Sequence, residues 1–381
     1  MERLISPERM IMRDTLARFL TEQRTGGRDE RESAMPRGGK PLLWSALANS
    51  LGLLGAAFPE DLGGLGGGIA ETMIIMEELG RALAGEPYLS TIVVGGGLLT
   101  SSGGRLAEEF IPKIIAGEMI AAFAYAEPQS RYNLAHVEMR ARRSTEAYRL
   151  NGSKSVVYLA PWATHLFVTA RTGGMAGDRN GISLFLLDQS APGIRRRDFT
   201  TVDGVGASEL VLEDVPVGPD RLLGEEGDAL PLVERIVDEA CVALCADAIG
   251  VMRQLIDDTV GYARQRRQFG RPIAEFQALR HRMVDMAVEL QQAIAITSMA
   301  SSELDSSPTD RSKAVSAAKW RVGKACRFVG QSAIQIHGGI GTTAELPVSR
   351  YFKRTAAFEN RFGSSDHHLQ RYIGLMRESD A

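Results

Sequence analysis

The spacing of apolar residues in this chain changes twice, from helical to β-type and back to helical. This order of helices, strands and helices is the feature that most constrains the fold. Apolar residues recur at helical spacing up to about residue 118, short β-type runs occupy 119–228, and long helical patterns return over 229–381. Because strands and helices do not alternate, a doubly wound parallel sheet is excluded. We expect a mainly α protein of three domains: 1–118, 119–228 and 229–381.

Helices are predicted in the first domain from start signals and apolar spacing. Ser6-Pro7-Glu8 is typical of a helix start, with serine as the N-cap and proline in the first turn. Further helical patterns cover Leu42–Leu54 and Ala70–Leu83. The polar, glycine-containing stretch from Arg24 to Lys40 predicts a loop.

The middle domain shows short β-type runs separated by turn residues. The segment Tyr148–Tyr158 contains Asn151-Gly152, a pair that favours a tight hairpin turn. Such spacing predicts a small β-barrel or sandwich. The other runs expected to be strands are Leu166–Ala170, Ile182–Leu187 and Glu209–Leu212.

The last domain carries four long helical patterns with short connections, which predict an antiparallel four-helix bundle. Ser307-Pro308 supplies capping residues between two of them. The predicted helices are Leu230–Ile256, Phe276–Leu304, Lys313–Ile336 and His367–Met376.

Composition and charge narrow the range of partners. The 44 Lys and Arg against 47 Asp and Glu give no basic excess for nucleic acid or an anionic membrane. No apolar run reaches the roughly 20 residues of a membrane-spanning helix, and the N-terminus shows no secretory pattern. The odd number of cysteines argues against a disulfide framework, so a cytoplasmic location is expected. The three cysteines are Cys241, Cys245 and Cys326.

Several common catalytic motifs are missing from the sequence. The glycine runs at 63–68 and 95–97 do not match a dinucleotide-binding fingerprint, and there is no P-loop, nucleophile elbow or His-Glu-x-x-His motif. The adjacent His367 and His368 fit a solvated or capping pair better than a metal site. No metal site is predicted.

Two segments have a more specific composition. Residues 262–277 join two helices through clustered arginines beside Phe269-Gly270 and Pro272, a basic corner suited to phosphate. Residues 335–350 place Gly338, Gly339 and Gly341 after a helix, where a ligand could approach the backbone closely. The alternatives are an ordinary charged loop for the first and a helix C-cap for the second.

Together these segments resemble the two signature regions of the acyl-CoA dehydrogenase family of flavoproteins. Ala126-Glu127-Pro128 and Pro59–Gly64 resemble further family segments, so the likeness covers essentially the whole chain in order. More narrowly, several short segments resemble the small subunit of pimeloyl-CoA dehydrogenase. These include Glu71–Glu77, Gln129–Tyr132, Val237–Ala240, Tyr351–Arg354, Phe362-Gly363 and Asp366–Leu369.

The resemblance implies a helical domain, a β-barrel and a four-helix bundle that bind FAD. It assigns cofactor contacts to three groups of residues. Residues expected to line the flavin are Phe123, Tyr125 and Ala126. Residues expected to reach the FAD of a neighbouring subunit are Arg266, Gln268 and Phe269. Residues expected to contact its pyrophosphate and adenosine half are Gln335, Gly338 and Gly339.

The implied reaction is α,β-desaturation of an acyl-CoA thioester. A carboxylate removes the α-proton while the β-hydride passes to flavin N5. The implied partners are the acyl-CoA substrate, electron-transfer flavoprotein or a similar acceptor, and further subunits in a homotetramer or an α2β2 heterotetramer. No nucleic-acid or membrane partner is implied.

The catalytic base departs from the family pattern. Ser364 aligns with the usual glutamate, and a serine alone is no base. Glu239, on the first long helix of the last domain, is the candidate base; it is adjacent to the position where other family members place the base, in a register that could differ by one residue. The alternative is a surface carboxylate on an amphipathic helix. Asp366 is the second choice.

Substitutions at the expected flavin contacts keep other functions open. Ala126 stands where a hydroxyl usually bonds the flavin, and Val156 and Tyr158 replace the common tryptophan and threonine. The chain could therefore be a non-catalytic subunit that completes the FAD site of a sister chain. A different flavin reaction, such as monooxygenation or desulfination, is a third interpretation.

Overall fold

The computed structural model describes residues 6–25 and 41–379. Most of the predicted loop at 24–40 therefore lies outside the described residues. The described chain forms two compact units. The helical unit contains residues 6–25, 73–84 and 241–379, and the sheet unit contains 41–72 and 85–240. The three-domain division remains a prediction, since each of these units combines segments that are distant in the sequence.

The helical unit is built from long helices, and the helix start predicted at Ser6-Pro7 is confirmed. Helix α1 begins at Pro7. The helix predicted from Lys313 begins earlier, at Pro308, where the hydroxyl of Ser307 caps it by accepting a hydrogen bond from the N–H of Asp310. The helices are α1 (Pro7–Thr25), α3 (Ile69–Arg81), α6 (Leu230–Gln265), α7 (Gln277–Ser302), α8 (Pro308–His337), α9 (Val348–Ala357) and α10 (Ser365–Ser379). Helices α3 and α6 each have a part in both units.

The sheet unit combines short helices with one sheet. Its helices are α2 (Trp44–Asn49), a π-helix (Leu89–Gly96), α4 (Gly97–Ser102) and α5 (Gly104–Ile115). The predicted helix at 42–54 is shorter than expected because Gly52 turns the chain with φ +65°. The strands are β1 (Ala121–Ala124), β2 (Arg140–Arg143), β3 (Tyr148–Tyr158), β4 (His165–Arg171), β5 (Ile182–Asp188), β6 (Ile194–Thr200), β7 (Gly206–Val217) and β8 (Leu222–Leu223).

The central sheet is open, so the expected β-barrel is too specific a description. Its order is β6-β7-β3-β2-β4-β5-β8, with β1 parallel to β4. Among the described residues the edge strands β6 and β8 do not pair with each other, and β8 is only two residues long. Tyr148 of β3 nevertheless contacts Phe185 of β5, with ring centroids 5.0 Å apart. The two halves of the sheet thus share one apolar core.

The predicted hairpin at Asn151-Gly152 is wrong, because β3 runs through this pair without turning. Its pairing with β7 shifts register between Leu150 and Gly152, which makes the site a β-bulge. The side chain of Asn151 accepts a hydrogen bond from the N–H of Asp214 in β7. Asn151 therefore bonds to a residue of the neighbouring strand, although the local preference of Asn-Gly is for a turn.

Candidate functional site

The end of β1 carries the three residues predicted to line a flavin. The rings of Phe123 and Tyr125 stack with centroids 5.0 Å apart. The carbonyl of Ala126 accepts a hydrogen bond of 2.9 Å from the N–H of Ser155 in β3. The structure therefore brings these residues together and ties them to the strand that carries Val156 and Tyr158.

Beneath this segment lies a buried ion pair between Lys154 and Glu127. The two side chains are 0% and 2% exposed, and Nζ lies 2.8 Å from Oε1. Burial lowers the pKa of Lys154 to about 8, against the opposing effect of Glu127. Burial acts to raise the pKa of Glu127, but the ammonium and several hydrogen bonds hold it below its usual value.

This pair is not among the site residues predicted from the sequence, although the strand pattern contains a signal for it. Tyr148 and Leu150 are buried alternate residues of β3, and Lys154 continues their phase. A lysine on the buried face of a strand requires a polar partner. Glu127 lies outside any strand, so only the folded chain identifies it as that partner.

A second bulge follows Lys154. The register between β3 and β7 shifts between Lys154 and Val157, and Val156 adopts φ +50° while remaining exposed. A β-branched residue at positive φ is strained and persists only where its surroundings impose it. Val156 is one of the three positions at which the sequence departs from the flavin contacts that the family resemblance implies.

Glu239 lies on α6 in the sheet unit. Its carboxylate accepts a hydrogen bond of 3.1 Å from Nε of Arg235 one turn earlier, and its side chain is 23% exposed. The neighbours Ile236, Val237 and Ala240 are buried. Glu239 is therefore a half-buried, ion-paired carboxylate at the edge of an apolar stripe.

In the helical unit the basic corner is a short hairpin of β9 (Arg267–Gln268) and β10 (Arg271–Pro272). Phe269 at its turn is 91% exposed and adopts φ +52°. Arg266 and Gln268 are also exposed. The side chain of Arg266 makes no hydrogen bond or ion pair within residues 6–25 and 41–379. The predicted ligand-binding side chains thus point away from the packed interior.

The glycine segment lies at the C-terminal end of α8. Gly338 ends the helix with φ +66°, a conformation that favours glycine. Gln335 and Gly339 are exposed, and a Cβ built on Gly339 would meet no atom within 4 Å. The ring of Tyr262 at the end of α6 stacks on His337, with centroids 4.4 Å apart. The helix ends that carry the two signature segments are therefore in contact.

These groups fit the chemistry of FAD. A pyrophosphate requires cationic and N–H donors, and the exposed guanidinium of Arg266 is available for it. The exposed aromatic ring of Phe269 suits a planar ring of the cofactor. Stacked aromatics at the end of β1 supply a second apolar surface in the sheet unit.

Ser364 caps α10, in agreement with its lack of basic character. Its hydroxyl accepts a hydrogen bond of 3.2 Å from the N–H of His367. Asp366 in the first turn is exposed, as suits a carboxylate at a helix N-terminus. His368 is buried and donates from Nε2 to the carbonyl of Phe362 at 3.0 Å, so the expectation of a solvated pair is wrong for this residue.

The segment before Ser364 is held by a second buried lysine, which is also absent from the site residues predicted from the sequence. Nζ of Lys319 donates to the carbonyls of Phe358 and Gly363 at 2.9 and 2.8 Å. Glu359 accepts hydrogen bonds from the N–H and hydroxyl of Ser365. A Cβ on Gly323 would lie 2.1 Å from that hydroxyl, so glycine makes room for this contact.

The comparison with protein families identifies the chain. Models of the N-terminal, middle and C-terminal domains of acyl-CoA dehydrogenase match residues 6–118, 122–215 and 230–373. The chain belongs to the acyl-CoA dehydrogenase family, whose members catalyse FAD-dependent dehydrogenation of acyl-CoA. FAD is the cofactor of this family, and the chain is a flavoprotein oxidoreductase.

Relatives match along most of the chain. The caffeyl-CoA reductase-Etf complex subunit CarC of Acetobacterium woodii is 31% identical over 82% of this chain and 84% of its own. Mitochondrial isovaleryl-CoA dehydrogenase of Oryza sativa subsp. japonica is 32% identical over 85% and 80%. The solved structure of the Tcur3481-Tcur3483 steroid ACAD G363A variant is 29% identical, with a TM-score of 0.88 over 98% of both chains.

The described chain shows neither a metal centre nor a membrane span. Within residues 6–25 and 41–379, no group of three His, Cys, Asp or Glu side chains is arranged to hold a metal ion. No helix in the same part of the chain is both long and apolar enough to span a membrane. The three cysteines are buried, and none of them forms a disulfide within the described residues.

Proposed function

We propose that this chain desaturates an acyl-CoA thioester between Cα and Cβ, with its FAD site completed by residues of a neighbouring subunit. The observation that carries the proposal is the exposed basic corner. Phe269 is almost fully exposed and conformationally strained, and the side chain of Arg266 is unengaged in the described chain. A ligand or a neighbouring subunit that covers this corner would bury the ring and pair with the guanidinium.

The proposed chemistry divides between the cofactor and the chain. When bound, FAD accepts the hydride equivalent from the β-carbon of the substrate. Phe123, Tyr125 and Ala126 present a surface for the flavin, while Arg266, Gln268 and Phe269 serve the FAD of the neighbouring chain. Gln335, Gly338 and Gly339 offer an exposed helix end to its pyrophosphate half.

Glu239 is the proposed base. It has a carboxylate oxygen, a half-buried position and an apolar surround, which a group that removes an α-proton requires. Arg235 would have to release this carboxylate when substrate arrives, because an ion-paired oxygen is a weaker proton acceptor. Ser364 has neither a carboxylate nor a basic partner, since its hydroxyl caps α10.

Assembly into a homotetramer or an α2β2 heterotetramer is part of the proposal. Besides Phe269 on the basic corner, three apolar side chains of α7 are exposed. They are Val284, Val288 and Met299, and they lie on one face of the helix. These side chains form an apolar stripe that another subunit would cover. Electron-transfer flavoprotein is the proposed acceptor, in view of the CarC relative whose name places it in an Etf complex. The likeness to a pimeloyl-CoA dehydrogenase small subunit remains a prediction.

The proposal is tested first on the purified chain, by its flavin absorbance and its native mass. A yellow oligomer with close to one FAD per chain supports a complete enzyme. A lone chain without flavin that gains it only with a sister chain supports the non-catalytic alternative. Oxygen consumption with reduced flavin would instead indicate the monooxygenase interpretation.

The base is tested by comparing three variants for substrate-dependent bleaching of flavin absorbance. We expect Glu239→Gln to abolish bleaching, while Asp366→Asn, which changes an exposed carboxylate, retains it. Unchanged bleaching in Glu239→Gln eliminates this residue as the base. Bleaching that appears only in Ser364→Glu would show that the chain lacks its own base and depends on a partner.

A further inference from the structure

The buried pair of Lys154 and Glu127 has no place in the proposed reaction, yet it lies directly under the predicted flavin-lining segment. Replacing a buried ion pair by apolar residues of similar size is often neutral or stabilising. The presence of this pair is therefore not explained by stability alone. The hydrogen bonds of the two side chains indicate a second role for the pair.

Lys154 uses its three N–H groups on three different parts of the sheet unit. Nζ donates to Oε1 of Glu127 at 2.8 Å, to the hydroxyl of Thr169 in β4 at 3.0 Å and to the carbonyl of Tyr125 at 3.2 Å. An ammonium has three donors, so its hydrogen-bonding capacity is filled. The position of Nζ is consequently determined from three directions.

Glu127 fixes the other side of the pair. Its carboxylate accepts hydrogen bonds from the backbone N–H groups of Glu138 and Met139, at 2.8 and 3.1 Å. The side chain of Gln129 donates to it as well, at 2.8 Å. The residues just before β2 and the residues just after β1 are thus held by one carboxylate.

Two consecutive carbonyls after β1 are held by β3. That of Tyr125 accepts from the Lys154 side chain, and that of Ala126 accepts from the N–H of Ser155. The two peptide groups therefore cannot rotate without breaking a bond to β3. The same segment carries the Tyr125 ring, which stacks on Phe123.

We propose that Lys154 is a positioning residue of the FAD site, which with Glu127 sets the backbone of Tyr125 and Ala126 against the flavin. The inference rests on the proposed function, which assigns Tyr125 and Ala126 to the cofactor. Because the two charges cancel, the pair supplies strong hydrogen bonds without placing a net charge beneath the cofactor.

The test compares two variants of the pair with a matched control. Lys154→Met removes the three bonds, and the double variant Glu127→Gln/Lys154→Met also removes the unpaired carboxylate. Arg354→Met is the control, since it breaks the ion pair of Arg354 with buried Asp247 in the helical unit. The measurements are the melting temperature, FAD affinity by titration of the apoprotein, and the visible circular dichroism of bound flavin.

We expect both Lys154 variants to bind FAD about tenfold more weakly or worse and to show altered flavin dichroism. The double variant should do so even where its melting temperature returns toward that of the wild type. Arg354→Met should lower the melting temperature without altering the flavin dichroism. The double variant keeps the test valid if Lys154→Met does not fold.

Wild-type FAD affinity and dichroism in the double variant would overturn the inference, because the pair would then act on stability alone. The proposed function fails in a different way. In that case the wild-type chain, alone or with a sister chain, would take up no FAD. The two failures are therefore distinguished by the wild-type titration.

Discussion

Lys154 in the sheet unit and Lys319 in the helical unit are both buried, but they are stabilised in different ways. Lys154 contacts a carboxylate directly at 2.8 Å. All hydrogen bonds that Lys319 makes in the described chain go to neutral carbonyls, and its Nζ lies 3.9 Å from the centroid of the Phe358 ring. Burial lowers the pKa of both lysines.

The difference determines what is left behind when each lysine is removed. Without Lys154, the interior of the sheet unit retains an ionised carboxylate that is almost fully buried. Without Lys319, the helical unit retains two carbonyls whose loss of a partner costs less. Each lysine also orders a segment that the family resemblance connects with the active site.

The largest effect is expected for Lys154→Met. The free energy of unfolding should fall by about 3–5 kcal/mol, because one partner of a buried ion pair is removed. Urea titration followed by circular dichroism measures this loss. The double variant Glu127→Gln/Lys154→Met should recover most of it, and failure to recover would show that the stranded charge is not the cause.

A smaller loss is expected for Lys319→Met, about 1–3 kcal/mol, since it strands neutral carbonyls and removes a desolvated charge. The same urea titration provides the comparison. Hydrogen exchange should increase between Phe358 and Gly363, the two ends that Lys319 holds. A loss larger than that of Lys154→Met would contradict the difference drawn between the two sites.

The third prediction concerns pH. Burial, followed by the charges of Lys319 and Arg371, holds the pKa of His368 well below its usual value of 6.5. Below about pH 6.5 the imidazole of His368 binds a proton in the unfolded chain but not in the folded chain. The free energy of unfolding therefore falls as the pH drops below this value. His368→Gln should reduce this slope by up to about 1.4 kcal/mol per pH unit. Exposed His281→Gln is the control, and equal slopes in both variants would refute the assignment.

Arg266→Ala should change stability least, within about 0.5 kcal/mol, because its exposed side chain has no partner in the described chain. It should nevertheless weaken FAD retention, which Arg264→Ala, a change of exposed charge on the same helix end, should not. Urea titration and flavin content, measured on the same variants, distinguish the proposed FAD-binding cation Arg266 from the structural cations Lys154 and Lys319. Equal flavin retention in the two variants would remove Arg266 from the proposed site.

Much of the fold follows from local sequence signals. The period of the apolar residues predicts the long helices, and the capping residues Ser6 and Pro7 predict where α1 begins. The helix predicted from Lys313 begins earlier, at Pro308. The strands β4 and β5 follow from continuous apolar runs. The bulge at Asn151-Gly152 does not, because the partner Asp214 lies 63 residues away in sequence.

In the candidate site, too, some residues are predicted from local sequence and others only from the fold. Residue type and order make the clustered arginines and the glycines after α8 candidates for a ligand site, and the family resemblance assigns Arg266 and Phe269 to FAD. The roles of Lys154 and Lys319 depend on acceptors 15 to 44 residues distant. The sequence by itself determined the helix–sheet–helix order and the signature residues, because those rest on nearest-neighbour periodicity and side-chain type. Only the tertiary structure decided which charges are buried and what neutralises them, because burial energies depend on distant segments meeting in space.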